Sequence, residues 1–361
     1  MDRRGVVLLS DGFQRAVVRS VSRRRLLEWG GASLAVLVTA CKNDECTSFD
    51  SGDPEGPEFL EPITPISEFY VVSHFGMADL DPETWRLEVS YAGESLGYVD
   101  YPLLETLVAR EREQTLQCIE SRPGWIRMSN GLFEGLPLPE VLDAAGIEWN
   151  VGASHMQFTC ADYYTMGLPL ETEDPPWLVW RMNGETLPQK HGFPARILAP
   201  NRYGWLNPKQ VVGLKFLDAP FELPWVEQLQ TYADAAGLHA DSDIVGEKVQ
   251  IQAVVVHPKS MQFVEKGTAI RLLGKAFGGA DPVVSVELSA DGGETYSSVE
   301  LTYAPGAERW TLWRHVWRPK TAGSHLIHVR ARSQSGLETQ LDHPENKIPY
   351  AGGMWLLVDV L

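Results

Sequence analysis

From residue 247 onward the chain falls into a rhythm that leaves few architectures open. Five short apolar runs follow one another: VQIQAVVV (249–256), TAIRLLGKAF (268–277), VVSVELSA (283–290), WTLWRHVW (310–317) and SHLIHVRARS (324–333). Turn residues separate them, Asp291-Gly292-Gly293 among them. Runs this short and rich in β-branched and aromatic residues make strands, and many short strands at regular spacing bury their faces only by stacking sheet on sheet. The pattern predicts an all-β sandwich of immunoglobulin-like type over residues 247–361.

The preceding stretch mixes both periods. WRLEVSY (85–91) alternates as a half-buried strand. In DYPLLETLVARERE, Asp100 is placed to cap a helix carrying leucines at helical spacing. PLPEVLDAAG puts Pro139 in a first turn and Gly146 past the end, the usual helix asymmetry. PPWLVWRMNG reads as a buried strand over 177–182 closed by an Asn183-Gly184 turn, and ARILAP and VVGLKFLD supply two more strands. Residues 65–220 therefore form an α+β domain, residues 221–246 a connection of weak periodicity, and 247–361 the sandwich. No internal repeat is present. A chain of 361 residues accommodates two such domains.

Residues 1–40 read as an export segment. Arg23-Arg24-Arg25 precede Leu26-Leu27 and an apolar stretch from Gly30 to Ala40. That stretch is well short of the ~20 residues a spanning helix needs. It resembles a twin-arginine signal, a route that carries folded proteins and so favours a cofactor inserted before export. Val38-Thr39-Ala40-Cys41 resembles a lipoprotein cleavage box, with Cys41 the residue to be acylated. Residues 41–64, acidic and rich in Pro and Gly, are a flexible tether. The expectation is an exported protein, periplasmic or at the cell surface, anchored to a membrane by lipid at Cys41.

The net charge is −17. It excludes nucleic acid and an anionic membrane surface as partners of the folded body. Four cysteines are present. With Cys41 as anchor and Cys46 in the tether, no structural disulfide is indicated for Cys118 and Cys160. Cys118 sits in TLQCIESRPGW between a strand-like run and Pro123-Gly124. Taken alone, a lone cysteine there is open to three readings: buried thiol, nucleophile or metal ligand.

Several segments together resemble one family. TLQC with Arg122 four residues on, FYVVSH (69–74), and above all MNGETLPQKHGFPARILAPNRYGWLNPKQV (182–211) resemble sulfite-oxidase-type molybdenum enzymes. The C-terminal VSVELSADGGETYSSVEL with Trp310 and Trp313 is similar to that family's dimerisation sandwich. The resemblance covers nearly all of residues 65–361. It implies a molybdenum–molybdopterin cofactor and a homodimer. Two electrons would pass singly to an external carrier such as a cytochrome c, since no haem-binding domain or CxxCH motif accompanies the body.

Residue by residue, the resemblance implies that Cys118 ligates molybdenum, where a soft anionic sulfur suits a metal that cycles between oxidation states. His191 and Arg196, around Gly192 and Pro194, would hold the cofactor's phosphate and polar edge, and Arg offers a planar fork for phosphate oxygens. Lys209 adds a cation or is a solvated loop lysine. His74 and Asp162 match positions that contact the pterin. Tyr164 matches the family's active-site tyrosine, with Tyr163 as the alternative register. Arg122 matches an arginine beside the metal that attracts an anionic substrate.

The departures concern the substrate half. Glu120-Ser121 stand where the family has Gly-Asn, Val72 where it has a substrate-binding arginine, and Ser73 where it has asparagine. One arginine fewer and one carboxylate more disfavour a dianion such as sulfite. Three functions follow: oxygen-atom transfer on a small oxyanion or oxide, reduction of an S-oxide or N-oxide on the same scaffold, or a catalytically silent surface module. His325 and His328, three apart in a strand, face opposite ways and make no metal site. FGGADP lacks the context of a dinucleotide-binding loop.

Overall fold

The structure is a computed structural model. It describes residues 41–42, 45–46, 57–73, 75–123, 125–149, 152–170, 174–221, 239–240, 248–258, 262–340, 347–348 and 352–361. The expected signal segment 1–40, His74 and nearly all of the expected connection 221–246 lie outside the described residues. Residues 1–51 are one unit, in which Cys41–Lys42 pairs antiparallel with Glu45–Cys46. Residues 52–361 form a second compact unit.

In the first half of that unit the elements run β1 (Arg86–Tyr91), β2 (Glu94–Asp100), α1 (Tyr101–Thr106), β3 (Arg110–Gln117), β4 (Met128–Pro137), α2 (Leu138–Ala144), β5 (His155–Cys160), β6 (Thr165–Pro169), β7 (Trp177–Met182), β8 (Glu185–Thr186), β9 (Arg196–Leu198) and β10 (Val211–Leu217). One five-stranded sheet has the order β2-β1-β10-β5-β6. Within it β1 and β10 are parallel and the other pairs antiparallel. The second has the order β8-β7-β4-β3, with β9 also paired to β7. Leu87, Val89, Phe158, Leu214 and Phe216 from the first sheet and Leu138, Val141 and Leu142 from α2 bury themselves in one cluster.

The expected long helix from Asp100 is a single short one. Asp100 caps it as expected, its Oδ1 accepting from the Leu103 N–H at 2.9 Å. The chain turns extended at Leu107 and runs as β3 from Arg110, eight residues in unbroken antiparallel register with β4. Helix-favouring Arg and Glu at 110–113 are overridden because the end of β3, from Gln114 to Gln117, is fully buried and its backbone needs ladder partners. With so little helix the described residues are mostly strand. Helix α2, by contrast, follows the pattern, with Pro139 in its first turn and Gly146 at φ +74° beyond its end.

The second half holds β11 (Gln252–His257), β12 (Gln262–Val264), β13 (Ile270–Phe277), β14 (Val283–Ser289), β15 (Ser297–Ser298), β16 (Glu300–Tyr303), β17 (Thr311–Trp317), β18 (Gly323–Ser333) and β19 (Trp355–Val360). The five expected strands are β11, β13, β14, β17 and β18. The sheets are β11-β13-β17-β16 and β12-β19-β18-β14-β15, and they share one core. Val254, Leu272 and Trp313 come from one sheet, Val286, Ile327 and Val358 from the other. Three short strands, β12, β15 and β16, and the terminal β19 escaped the sequence pattern, β12 pairing in parallel with β19.

A separate cluster joins the halves: Ile119, Met128 and Tyr203 pack with Val249, Phe277, Trp310 and Leu312. Polar contacts cross at the same place. Gln252, fully buried on β11, donates from Nε2 to the Ser121 carbonyl at 2.8 Å and accepts from Ser121 Oγ at 3.2 Å. The second half thereby fixes the loop that follows Cys118. Among the described residues no helix is long and apolar enough to cross a membrane.

Candidate functional site

A cavity of about 530 Å³ opens where the ends of β3, β5 and β9 and the 204–209 segment meet. Its wall includes Cys118, Asp162, Tyr164, His191, Arg196 and Lys209, six residues that the sequence singled out. Sequence positions almost a hundred residues apart are thus gathered at one place. His74 cannot be placed, being outside the described residues, but its neighbours Val72 and Ser73 line the cavity.

Cys118 follows β3 directly. Its N–H donates to the Arg127 carbonyl at 2.9 Å, and its carbonyl accepts from Ser121 N–H at 2.9 Å, closing a tight turn. The thiol is buried, and burial pushes its pKa up, so the unliganded group is a neutral thiol. Its Sγ lies 4.0 Å from the Glu120 carboxylate. Glu120 in turn is held by Arg127 at 2.9 Å, and Arg127 lies 4.4 Å over the Trp125 ring. Arg122 does not line the cavity. Its guanidinium sits 5.3 Å over the opposite partner of that loop turn, Trp125.

The other end of the cavity is cationic. Arg196 is 4 % exposed. Its Nη1 donates to the His191 carbonyl at 3.1 Å and its Nη2 to the Asn207 carbonyl at 3.0 Å, while its buried Nε has no hydrogen-bond partner among the described residues. Burial lowers its pKa to about 10, with Tyr70 and Cys160 partly opposing the fall. Lys209 donates to the Lys190 carbonyl at 3.1 Å, and burial, reinforced by Arg196, lowers its pKa to about 8. His191 is held near 4 by burial and by Arg196, so its imidazole is neutral; its Nε2 meets the Ile66 carbonyl at 3.3 Å. Gly192 permits this crowding. It stands at φ +117°, and a Cβ there would meet Arg196 Cβ at 3.0 Å and Lys209 Cβ at 3.1 Å.

The tyrosine register is settled by one turn. Asp162 Oδ1 accepts the Tyr164 N–H at 3.1 Å, and Tyr163 takes φ +69°. Tyr163 is thrown outward, 86 % exposed, and Tyr164 points in, donating to the Trp205 carbonyl at 2.8 Å. Burial, with Cys160 and Asp162 nearby, keeps the Tyr164 phenol protonated.

Among the wall residues that were not anticipated, four carry polar or aromatic side chains of note. Tyr70 is a buried phenol whose pKa is raised by burial and then by Cys118. It fits because residue 204 is glycine: a Cβ there would lie 2.4 Å from the Tyr70 hydroxyl. Cys160 is a second buried thiol, raised by burial and by Asp162. Trp205 and Asn207 complete the wall. Tyr70 and Trp205 stood inside the quoted segments, yet nothing in one sequence separates a wall aromatic from a core one.

This donor set fits a molybdenum–molybdopterin cofactor. A buried guanidinium whose hydrogen bonds among the described residues go only to carbonyls, with an aromatic ring beside it and Nε left over, is costly unless an anion completes it. Lys190 and Lys209 stand in the same wall. Among the described residues no group of three or more His, Cys, Asp or Glu is arranged to hold a bare metal. A metal beside Cys118 would therefore arrive with ligands of its own and displace the thiol proton.

The comparisons agree with this chemistry. Residues 74–225 match the family described as oxidoreductase molybdopterin binding domain. Mitochondrial sulfite oxidase of Homo sapiens is 27 % identical over 326 residues, 79 % of this chain and 59 % of that protein. The chain thus spans little more than half the length of such relatives. The protein-methionine-sulfoxide reductase catalytic subunit MsrP of Burkholderia mallei (strain ATCC 23344) is 26 % identical over 58 % of this chain and 72 % of its own. The fold is similar to the crystal structure of sulfane dehydrogenase SoxCD from Paracoccus pantotrophus, with a TM-score of 0.68 and 18 % identity, covering 84 % of this chain and 85 % of that one. With a thiol, a phenol and a buried cationic floor brought together inside the matched residues 74–225, the chain is similar to sulfite-oxidase-type molybdopterin-binding oxidoreductases.

Proposed function

We propose that the protein is an exported oxidoreductase that moves an oxygen atom between water and a small uncharged oxide, exchanging electrons with an external carrier such as a cytochrome c. Bound at this site, the molybdenum–molybdopterin group supplies two-electron chemistry at a metal. Arg196 and Lys209 would hold its anionic edge, and Cys118 would give a protein sulfur to the metal. Tyr164 and Tyr70 keep their protons at neutral pH; the Tyr164 hydroxyl donates to the Trp205 carbonyl, and the Tyr70 phenol stands in the same wall.

The observation that carries the substrate class is the split of charge across the cavity. Its cations gather around Arg196 and Lys209. Next to Cys118 the wall offers Ile119 and the Glu120 carboxylate, whose charge Arg127 balances, and Val72 and Ser73 line the same cavity. The Arg122 guanidinium lies over the Trp125 ring, outside the cavity lining. A dianion gains nothing there, whereas a neutral S-oxide or N-oxide meets no repulsion. Reduction of an S-oxide consumes two electrons and two protons and releases water and the thioether. The relative named as a methionine-sulfoxide reductase supports this direction. The relatives named as sulfite oxidases support a second reading, oxidation of sulfite.

The cofactor-loaded protein is to be assayed with a reduced one-electron dye against dimethyl sulfoxide, and with an oxidised dye against sulfite. The proposal expects turnover of the sulfoxide and a kcat/KM for sulfite at least about a hundredfold below it. Turnover of sulfite alone would remove it. Export by the twin-arginine route, lipid attachment at Cys41, an immunoglobulin-like sandwich and a homodimer belong to the same proposal, supported by the sequence features above.

A further inference from the structure

Beside the cavity mouth lies a second, shallower depression of about 530 Å³, lined by Phe75, Met77, Ala78, Ala161, Asp162 and Tyr163. The two hollows share Asp162. Apolar side chains crowd this second hollow in contact with water: Phe75 is 60 % exposed, Met77 47 %, Tyr163 86 %, and Val72 on the cavity side 43 %. Patches of this kind on a soluble surface mark binding sites.

Its two sides are fastened to one residue. Gln210 accepts the Ala78 N–H at 3.0 Å and donates to the Ala78 carbonyl at 2.7 Å, and its own carbonyl accepts the Ala161 N–H at 2.9 Å. Gln189 adds a bond to the Ala78 carbonyl at 3.1 Å. Tyr163 is held outward at φ +69°, a conformation that costs a β-carbon residue roughly 1–3 kcal/mol. An aromatic, a thioether and a phenol are thus displayed at the cavity mouth by bonded backbone.

We infer that this depression is a subsite for the apolar substituent of the substrate, so that the preferred substrate is an uncharged S-oxide or N-oxide carrying an aryl or comparable apolar group. The inference rests on the reading of an oxide substrate given above. Continuity with the cavity through Asp162 favours a group attached to the reacting molecule over a separate partner. The lining holds one carboxylate and no cation, so an anionic group has nothing to meet. A hollow of this volume is in the range of an organic ligand and far exceeds what a bare oxyanion needs.

The test uses the cofactor-loaded protein and two oxides that it cannot reduce further along this route, dimethyl sulfone and methyl phenyl sulfone, with binding read by calorimetry. Methyl phenyl sulfone is expected to bind about tenfold or more tightly than dimethyl sulfone, from the ring area taken out of water. That preference should vanish in the double variant Phe75→Ser/Met77→Ser and in Tyr163→Ser, all exposed positions where folding is not at stake. Sulfoxide turnover is measured in parallel with dimethyl and methyl phenyl sulfoxide. An aryl preference in binding without turnover of either sulfoxide would keep the subsite and sink the reductase reading. Equal affinity for the two sulfones, or a preference that survives both variants, overturns the subsite. So does a monomer–dimer equilibrium that shifts in the variants while sulfone binding does not, because the patch then serves a second copy.

Discussion

Replacing Arg196 by methionine should make the cofactor-free protein more stable and the cofactor-loaded protein unobtainable. The guanidinium is buried with two carbonyl partners and, among the described residues, no hydrogen-bond partner for Nε. Lowering its pKa from 12.5 to about 10 corresponds to roughly 3 kcal/mol against the charged form, and the orphaned Nε adds to that cost. Methionine fills most of the space and forfeits two carbonyl hydrogen bonds, about 1 kcal/mol each. The difference leaves about 1–2 kcal/mol in favour of the variant, or a rise in Tm of roughly 2–6 °C for a body of this size. The assay is thermal unfolding of both proteins made in a host lacking the cofactor, followed by pterin content after production in a competent host. A variant that melts several degrees lower, or that still carries pterin at the parent's level, refutes the argument that this cation is held unpaired for an anion.

Other perturbations probe the remaining wall. Glu120→Gln leaves Arg127 uncompensated at the Cys118 end; at ~6 Å and an effective dielectric constant of about 20 one charge is worth roughly 2–3 kcal/mol before screening, so kcat/KM for sulfite should rise about tenfold or more with sulfoxide kinetics little changed. His191, held near 4 against an ordinary 6.5, binds fewer protons folded than unfolded in that window. The cofactor-free protein therefore loses stability as pH falls from about 6.5 towards 4, and His191→Gln should flatten that part of a denaturant-midpoint profile. Gln252→Ala removes both bonds to Ser121 and should cost about 2–3 kcal/mol in urea unfolding while lowering pterin content, since the Cys118 turn loses its clamp. Gly204→Ala drives a methyl into the Tyr70 hydroxyl and should reduce cofactor content without unfolding the chain, at a stability cost of about 1–3 kcal/mol.

Much of this protein could be read from its residues before its fold was known. The β-rich second half was legible because turn residues punctuate alternating apolar runs, and α2 because Pro139 and Gly146 bracket it. Strand β3 was not, since Arg and Glu at 110–113 carry helix preference and only the pairing with β4 reveals the strand. Short β12, β15 and β16 and terminal β19 are set by neighbours rather than by their own pattern. In the site, the segment around His191 and Arg196 was informative because its Gly and Pro constrain the backbone that crosses the cavity floor. By resemblance Arg122 matches an arginine beside the metal; in the fold its guanidinium lies over the Trp125 ring, in the turn where the Ser121 N–H meets the Cys118 carbonyl. Arg127 takes up the neighbouring carboxylate instead, a contact that depends on the hairpin geometry of residues 118–127.

We propose that this cavity holds a molybdenum–molybdopterin group through Cys118 and the Arg196 floor. Molybdenum and pterin content per chain, measured on protein exported from a cofactor-competent host, tests it most directly. The account predicts close to one of each per chain, with molybdenum retention lost in Cys118→Ser and pterin lost in Arg196→Met. A folded, exported protein with neither metal nor pterin, or full metal retention in Cys118→Ser, would contradict it and leave the chain a silent module on an oxidoreductase fold.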